Sequence, residues 1–234
     1  AGWTRWLMEQ YEFDYKVVYP KRLDAGKIGK DFDVLVFANN LITPEGAEAF
    51  GRQPKPEDIP AEYRDWLGDI TRAKTAPKLA EFLRAGGSVV AIGGSTVLAD
   101  MVGAPAMNVL NGPDGRPLPR NDFYIPGSLL EVAVDNTQPL AYGAPSKVNV
   151  FFDRSPAFAP KVGRPAAWYA DRDPLRSGWA VGQEQLEGAS AIVETDVGKG
   201  KLILLGPEVA QRAQSHAAFR FLFNGLQYGP AASR

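Results

Sequence analysis

The glycine-flanked stretch from residue 86 to residue 103, GGSVVAIGGSTVLADMVG, constrains the fold more than any other part of the sequence. Residues 88–92 form an apolar run rich in β-branched side chains, which is typical of a strand buried on both faces. A Gly-Gly pair then permits a tight turn, and Ser95 or Thr96 is placed to cap a following helix. The stretch therefore predicts a strand, a turn and a helix within a layered α/β domain.

Other segments repeat this alternation of helix and strand. A mostly parallel sheet flanked by helices is the expected architecture, with ligands or nucleophiles at the carboxyl ends of its strands. Gly198-Lys199-Gly200 is interpreted as a hairpin turn rather than a phosphate loop, because apolar runs flank it on both sides. The further expected elements are strands at residues 15–19, 33–38, 189–195 and 201–205 and helices at residues 77–85 and 216–226.

The length of 234 residues and the 45% hydrophobic content fit one domain over residues 1–234. Residues 42–76 are rich in proline, glycine and charge, and are predicted to form an insertion or lid. Residues 104–188 hold many prolines and short alternating runs, which predict a loop-rich, antiparallel β elaboration. The chain enters a helical pattern at Trp3 without a preceding strand, so we expect a fragment of a longer protein.

The residue inventory excludes several kinds of chemistry. The chain has no cysteine and one histidine, His216, which rules out thiolate zinc sites, cysteine nucleophiles and sites with several histidine ligands. We expect no metal or other cofactor in this chain. The net charge of -1 and the pI near 6.0 give no reason to expect nucleic acid as a partner, and no apolar run is long enough to predict a membrane span.

One catalytic set is compatible with the sequence. Ser95 lies in the turn after the central predicted strand, where a nucleophile elbow would place it, and His216 is the one available imidazole base. Glu208 could orient that histidine, which gives a hydrolase triad. Helix capping by Ser95 and a place for His216 at the start of a helix explain the same residues without catalysis.

A binding cleft is the second alternative. Aromatic residues concentrate between residues 123 and 179, and Tyr124, Trp168 and Trp179 could line a site for a small molecule, a carbohydrate or a peptide. Arg176 would anchor an anionic group of that ligand. Packing of a loop-rich region by large side chains is the simpler interpretation of the same residues.

Ten short phrases resemble the C-terminal region of large bacterial zinc carboxypeptidase-like proteins, and together they cover nearly the whole chain. None of them is a catalytic motif. The phrases are GWTRWL (residues 2–7), EQY (9–11), IPAEYR (59–64), YIPGSLL (124–130), DNT (135–137), PLAYG (139–143), PLRSGW (174–179), GPE (206–208), RAQSH (212–216) and FLFNGL (221–226).

The resemblance implies a class I glutamine amidotransferase-like domain of flavodoxin-like build, which follows a carboxypeptidase A-type zinc peptidase domain in the parent protein. One histidine cannot supply the zinc motif of that peptidase, so the metal centre is expected outside this chain. Glutaminases of that class carry a cysteine in the turn after the central strand and a His-x-Glu near the C-terminus. Here the turn holds Gly94 and Ser95, and Glu208 precedes His216 by several residues.

We therefore expect a non-catalytic accessory domain with a structural or substrate-recognition role. Its expected partners are the N-terminal peptidase domain of the parent protein and a peptide or cell-wall ligand. The resemblance also implies a periplasmic or secreted location. The binding domain and the serine hydrolase described above are the alternatives.

Overall fold

The computed structural model describes residues 1–42 and 53–231. In this part of the chain, eight strands form one sheet in the order β1-β2-β8-β7-β5-β3-β4, with β6 paired to β3. The strands are β1 (Val34–Phe37), β2 (Ser88–Ile92), β3 (Ser128–Val134), β4 (Lys147–Phe152), β5 (Arg164–Trp168), β6 (Leu175–Ser177), β7 (Ser190–Val197) and β8 (Gly200–Leu205).

Helices flank this sheet, which confirms an α/β architecture. The α-helices are α1 (Gly2–Gln10), α2 (Pro20–Asp24), α3 (Thr75–Arg84), α4 (Leu98–Met101) and α5 (Phe219–Ala231). No helix among the described residues is long and apolar enough to cross a lipid bilayer.

The central strand β2 is buried on both faces, as its apolar run predicts. Val90 and Ile92 belong to the core on the α5 side, whereas Val89 and Ala91 belong to the core on the side of α3 and α4. Alternate side chains of a strand point to opposite faces of the sheet, so an uninterrupted apolar run is what a strand between two helical layers requires.

The expectation of a mostly parallel sheet is wrong. Only the pairs β1–β2 and β2–β8 are parallel among the described strands, and the remaining pairs are antiparallel. The predicted hairpin at Gly198 reverses the chain between β7 and β8. The strands of the predicted elaboration (104–188) then continue the same sheet through the pairing of β5 with β7. The sheet also curls and brings its edge strand β4 back to the end of β8, where the Glu208 N–H donates to the Phe151 carbonyl oxygen at 3.1 Å.

The predicted strand at residues 15–19 is absent: the segment has no regular secondary structure and pairs with no strand among the described residues. Phe13 packs against the core on the α5 side, and Val18 packs against the core on the α3 side. The segment thus crosses the edge of the sheet from one face to the other instead of running along β1.

The predicted insertion or lid (42–76) falls partly outside the described residues, which omit 43–52. Its described remainder contains 3-10 turns at Pro56–Asp58 and Ala61–Trp66. Tyr19 stacks on Trp66 with ring centroids 4.9 Å apart, and Lys21 forms an ion pair with Asp65. These contacts join the second half of the segment to α2.

Candidate functional site

The loops that follow β1, β2 and β8 meet at one edge of the sheet, because these three strands are parallel. This is the edge at which parallel sheets usually bind ligands. The loop after β1 contributes Asn39 and Asn40, the loop after β2 contributes residues 93–97, and the loop after β8 contributes Glu208. We refer to Asn39, Gly93, Gly94, Ser95 and Glu208 together as the strand-end cluster.

Two glycines let the loops after β1 and β2 approach closely. Gly93 has a φ of +56°, and a Cβ there would lie 2.3 Å from Asn39 Oδ1. A Cβ on Gly94 would lie 2.4 Å from Asn40 Oδ1. The Gly94 N–H donates to Asn39 Oδ1 at 2.8 Å. The Gly-Gly pair is therefore required by the two asparagines, which sequence reasoning did not identify as site residues.

Ser95 is completely buried, and its hydroxyl is engaged by the backbone of the loop after β1. Ser95 Oγ donates to the Ala38 carbonyl oxygen at 2.6 Å and accepts from the Leu41 N–H at 3.0 Å. The predicted helix cap is thus not formed by Ser95. Thr96 does not form it either, since its hydroxyl donates to the Gly93 carbonyl oxygen at 2.8 Å.

His216 begins a 3-10 turn, His216–Ala218, that leads into α5. Its ring is exposed and lies 5.2 Å from the Phe219 ring, centroid to centroid. Among residues 1–42 and 53–231, no hydrogen bond or ion pair joins the His216 ring to Ser95 or to Glu208. The structure therefore brings Ser95 and Glu208 to the same edge but shows no bonded triad.

Glu208 is the titratable member of the strand-end cluster. Burial raises the pKa of its carboxyl above the ordinary value, while a hydrogen bond from the Asn39 side chain opposes that shift. Asn39, in the loop after β1, thus bonds to the loop after β2 and influences the carboxyl of the loop after β8. The sequence signal for this role of Asn39 was the pair of asparagines, Asn39 and Asn40, shortly after the apolar run of β1.

The aromatic candidates are brought together only in part. Tyr124 and Trp179 contact each other edge to face with ring centroids 5.6 Å apart, and Trp179 is 56% exposed. The Arg120 guanidinium lies 5.1 Å from the centroid of the Tyr124 ring. Trp168 lies on β5 and makes no ring contact with either residue in the described part of the chain.

The predicted anion anchor, Arg176, is paired with a carboxylate of its own domain. Its Nε and Nη2 atoms donate to the two oxygens of Glu131 at 3.3 and 3.1 Å, and Lys147 donates to Glu131 at 2.8 Å. Arg176 and, to a smaller extent, Lys147 lower the pKa of Glu131 to about 2. Any anion that binds Arg176 must compete with Glu131.

Within the described ranges, no three carboxylate or histidine side chains group together in a way that could hold a metal ion. At the strand-end edge, the Ser95 hydroxyl and the Gly94 N–H are already engaged within the fold, and the Glu208 carboxyl is the titratable group beside them.

Comparisons with known proteins give remote structural similarity only. No protein-family model matches the chain, and no curated protein matches its sequence. PurLQS from Thermotoga maritima has 13% sequence identity and a TM-score of 0.46, with 85% of this chain and 80% of that chain covered. A ThuA-like protein from Bacteroides uniformis has 10% identity and a TM-score of 0.42, with 97% and 81% covered.

A β-galactosidase from Rahnella sp. R3 has 16% identity and a TM-score of 0.36. The alignment covers 82% of this chain but only 22% of the β-galactosidase. Similarity at this level assigns neither a family nor an activity to this chain.

Proposed function

We propose that this chain is a non-catalytic accessory domain, with a structural or substrate-recognition role, of a bacterial zinc carboxypeptidase-like protein. The observation that carries the non-catalytic part is the engagement of Ser95. A serine nucleophile needs an accessible Oγ and a base that accepts its proton. Ser95 Oγ is buried and donates its one proton to the Ala38 carbonyl oxygen, a group that cannot act as a general base at neutral pH.

The parent assignment rests on the ten phrases shared with carboxypeptidase-like proteins. It places the zinc peptidase domain elsewhere in the parent protein and implies a periplasmic or secreted location. An architectural role is supported by two exposed indoles on α1. Trp3 is 45% exposed and Trp6 is 42% exposed, with ring centroids 6.2 Å apart. Exposed aromatic side chains are enriched where domains or partners dock.

The test compares the full-length parent with its Ser95→Ala variant and with Trp3→Ala/Trp6→Ala. The proposal predicts that the Ser95 variant cleaves a short C-terminal peptide substrate at the parental rate per folded molecule, and that chelation of zinc abolishes cleavage in both proteins. Loss of the two indoles should alter the stability of the parent or its KM for a large substrate. A loss of catalysis with Ser95→Ala at full folded content would contradict the proposal.

A carbohydrate-binding role is the second candidate, and the exposure of Trp179 favours it. Exposed aromatic faces bind sugar rings through apolar contact, and Tyr124 and Arg120 extend this surface. Soluble cell-wall oligosaccharides should then quench tryptophan fluorescence in a saturable manner. Trp179→Ala should remove that change, whereas Trp66→Ala, at an exposed position on another element, should leave it intact.

A further inference from the structure

A cavity of about 420 Å³ lies at the opposite edge of the sheet from the strand-end cluster. Asp33, which directly precedes β1, and Gly86 and Gly87, which directly precede β2, contribute to its wall. Phe82 of α3 forms an apolar side of the cavity. The cavity thus lies where two strands begin and a helix covers them.

Three lysines line this cavity: Lys27, Lys30 and Lys78. No hydrogen bond or ion pair joins any of their ammonium groups to another residue within the described ranges 1–42 and 53–231. Like charges that line one cavity repel one another, so an anion bound among them would reduce that repulsion.

Two of these lysines lie at the two ends of one turn and line the same cavity. Lys27 precedes the 3-10 turn Ile28–Lys30, and the Lys30 N–H donates to the Lys27 carbonyl oxygen at 3.2 Å. Lys27 has a φ of +53°, a conformation that few residues other than glycine adopt. Such strain is frequently found at binding sites.

Lys78 approaches the same cavity from α3. A Cβ on Gly26 would lie 3.2 Å from Lys78 Cδ, so the lysine stem lies against this glycine and the side chain is half-buried. The Gly26 carbonyl oxygen in turn accepts a hydrogen bond from Arg22 at 2.8 Å. The stem of Lys78 is therefore held against a loop that is itself anchored.

Two carboxylates share the lining, Asp33 and Glu81. Glu81 is exposed and lies three residues after Lys78 on α3, which places both on one face of that helix. Three lysines against two carboxylates leave a positive balance. The negative charge of Glu81 should weaken anion binding. Its removal should therefore strengthen binding, the opposite of the effect of removing a lysine charge.

We propose that the cavity bounded by Lys27, Lys30 and Lys78 binds a small anion that carries two or more negative charges. The volume accommodates a molecule of the size of pyrophosphate or citrate, and the ammonium groups would each donate a charge-assisted hydrogen bond. Phosphate and carboxylate groups share this recognition chemistry. The proposal is independent of the accessory role, because it concerns the other edge of the sheet.

The test is calorimetric titration of the whole chain with pyrophosphate and, separately, with citrate at low ionic strength. Saturable binding of one anion is expected, and the tighter of the two identifies a phosphate-bearing or a polycarboxylate ligand. Lys78→Gln should weaken that binding about tenfold, the loss of one charge-assisted hydrogen bond. Glu81→Gln should tighten it, and Lys161→Gln, at an exposed position outside the cavity, should leave it unchanged.

The proposal fails if neither anion binds, if Lys78→Gln and Lys161→Gln weaken binding equally, or if Glu81→Gln also weakens it. Equal losses would mean that the anions respond only to net charge. Circular dichroism establishes that each variant is folded. If Lys78→Gln does not fold, Lys27→Gln takes its place, since Lys27 is exposed.

Discussion

Asn39 and Gly94 are joined by a hydrogen bond of 2.8 Å from the glycine N–H to the asparagine Oδ1. This bond uses the backbone amide at the start of the turn after β2. The same asparagine favours the charged form of Glu208, so one side chain of the loop after β1 interacts with the loops after β2 and β8. The turn that a nucleophile would occupy in a hydrolase is here an internal junction of the fold.

Ser95→Ala should destabilise the domain by about 1–3 kcal/mol, because it removes a buried hydroxyl and leaves the Leu41 N–H and the Ala38 carbonyl oxygen without that partner. Urea unfolding measures the loss. Ser177→Ala, at an exposed position on β6, should change stability by less than about 0.5 kcal/mol. Equal stability of the two variants would show that the hydroxyl is not engaged as described.

Gly93→Ala should cost at least about 3 kcal/mol, because both a positive φ and a contact with Asn39 oppose the new Cβ. Gly103→Ala is the matched control. Gly103 also has a positive φ, but no atom lies within 4 Å of its added Cβ, so it should lose only about 1–2 kcal/mol. Similar losses at both positions would contradict the close approach of Asn39 to the turn.

Glu208→Gln should increase the stability of the domain at neutral pH. The pKa of Glu208 is raised in the folded state, so between its unfolded and folded pKa values the native protein binds the additional proton. The stability of the unsubstituted chain should therefore fall as the pH rises through that interval. The glutamine variant should not show this fall.

Urea unfolding at a series of pH values gives the difference in the free energy of unfolding between the unsubstituted chain and Glu208→Gln. Glu184→Gln, at an exposed position, reports any general effect of removing one negative charge. If the stability advantage of Glu208→Gln instead shrinks as the pH rises, the pKa of Glu208 is not raised in the folded state.

Arg176→Gln should raise the pKa of Glu131 from about 2 toward its ordinary value, since Arg176 contributes most to the lowered value. A lowered carboxyl pKa stabilises the folded state at neutral pH, and that contribution is lost as the pH falls toward 2. Carbon-detected NMR titration of the Glu131 carboxyl follows the shift. Lys147→Gln should produce a smaller rise, and an unchanged Glu131 pKa in both variants would show that neither cation contacts it in solution.

Tyr169→Phe should leave stability unchanged or raise it by up to about 1 kcal/mol. Tyr169 is fully buried, and its hydroxyl has no hydrogen-bond partner in the described part of the chain. Its ring packs edge to face with Phe152 at 6.2 Å between centroids, a contact that phenylalanine keeps. Thermal unfolding measures the change, and a large loss of stability would reveal a partner for the hydroxyl.

The elements with continuous apolar runs were predictable from the sequence. The central strand, its Gly-Gly turn and the β7–β8 hairpin follow from local patterns that tertiary packing reinforces. The course of residues 15–19 was not predictable. Phe13 and Val18 pack on opposite faces of the sheet, and a β-type sequence pattern does not show whether a segment pairs with a strand or crosses the edge of the sheet. The antiparallel pairing of β3 to β6 was expected for residues 104–188. Their place in the main sheet was not, since it depends on which edge of that sheet remains open.

At the candidate site, sequence reasoning found the turn but not its partners. Ser95 and Glu208 do lie at the strand-end edge, whereas Asn39 and Asn40 were missed because the fit of an amide against a glycine is visible only in three dimensions. Arg176 was expected to be available to a ligand. Its pairing with Glu131 depends on the antiparallel pairing of β6 with β3, a long-range contact that residue spacing does not encode.

Reactivity of Ser95 toward a fluorophosphonate tests the central claim most directly. The chain is incubated with the reagent, digested, and searched by mass spectrometry for an adduct on the peptide that contains Ser95. A buried hydroxyl that donates to a backbone carbonyl should give no adduct under conditions that label an active serine hydrolase completely. An adduct on Ser95 that disappears in His216→Ala would contradict the account and identify a working nucleophile and base.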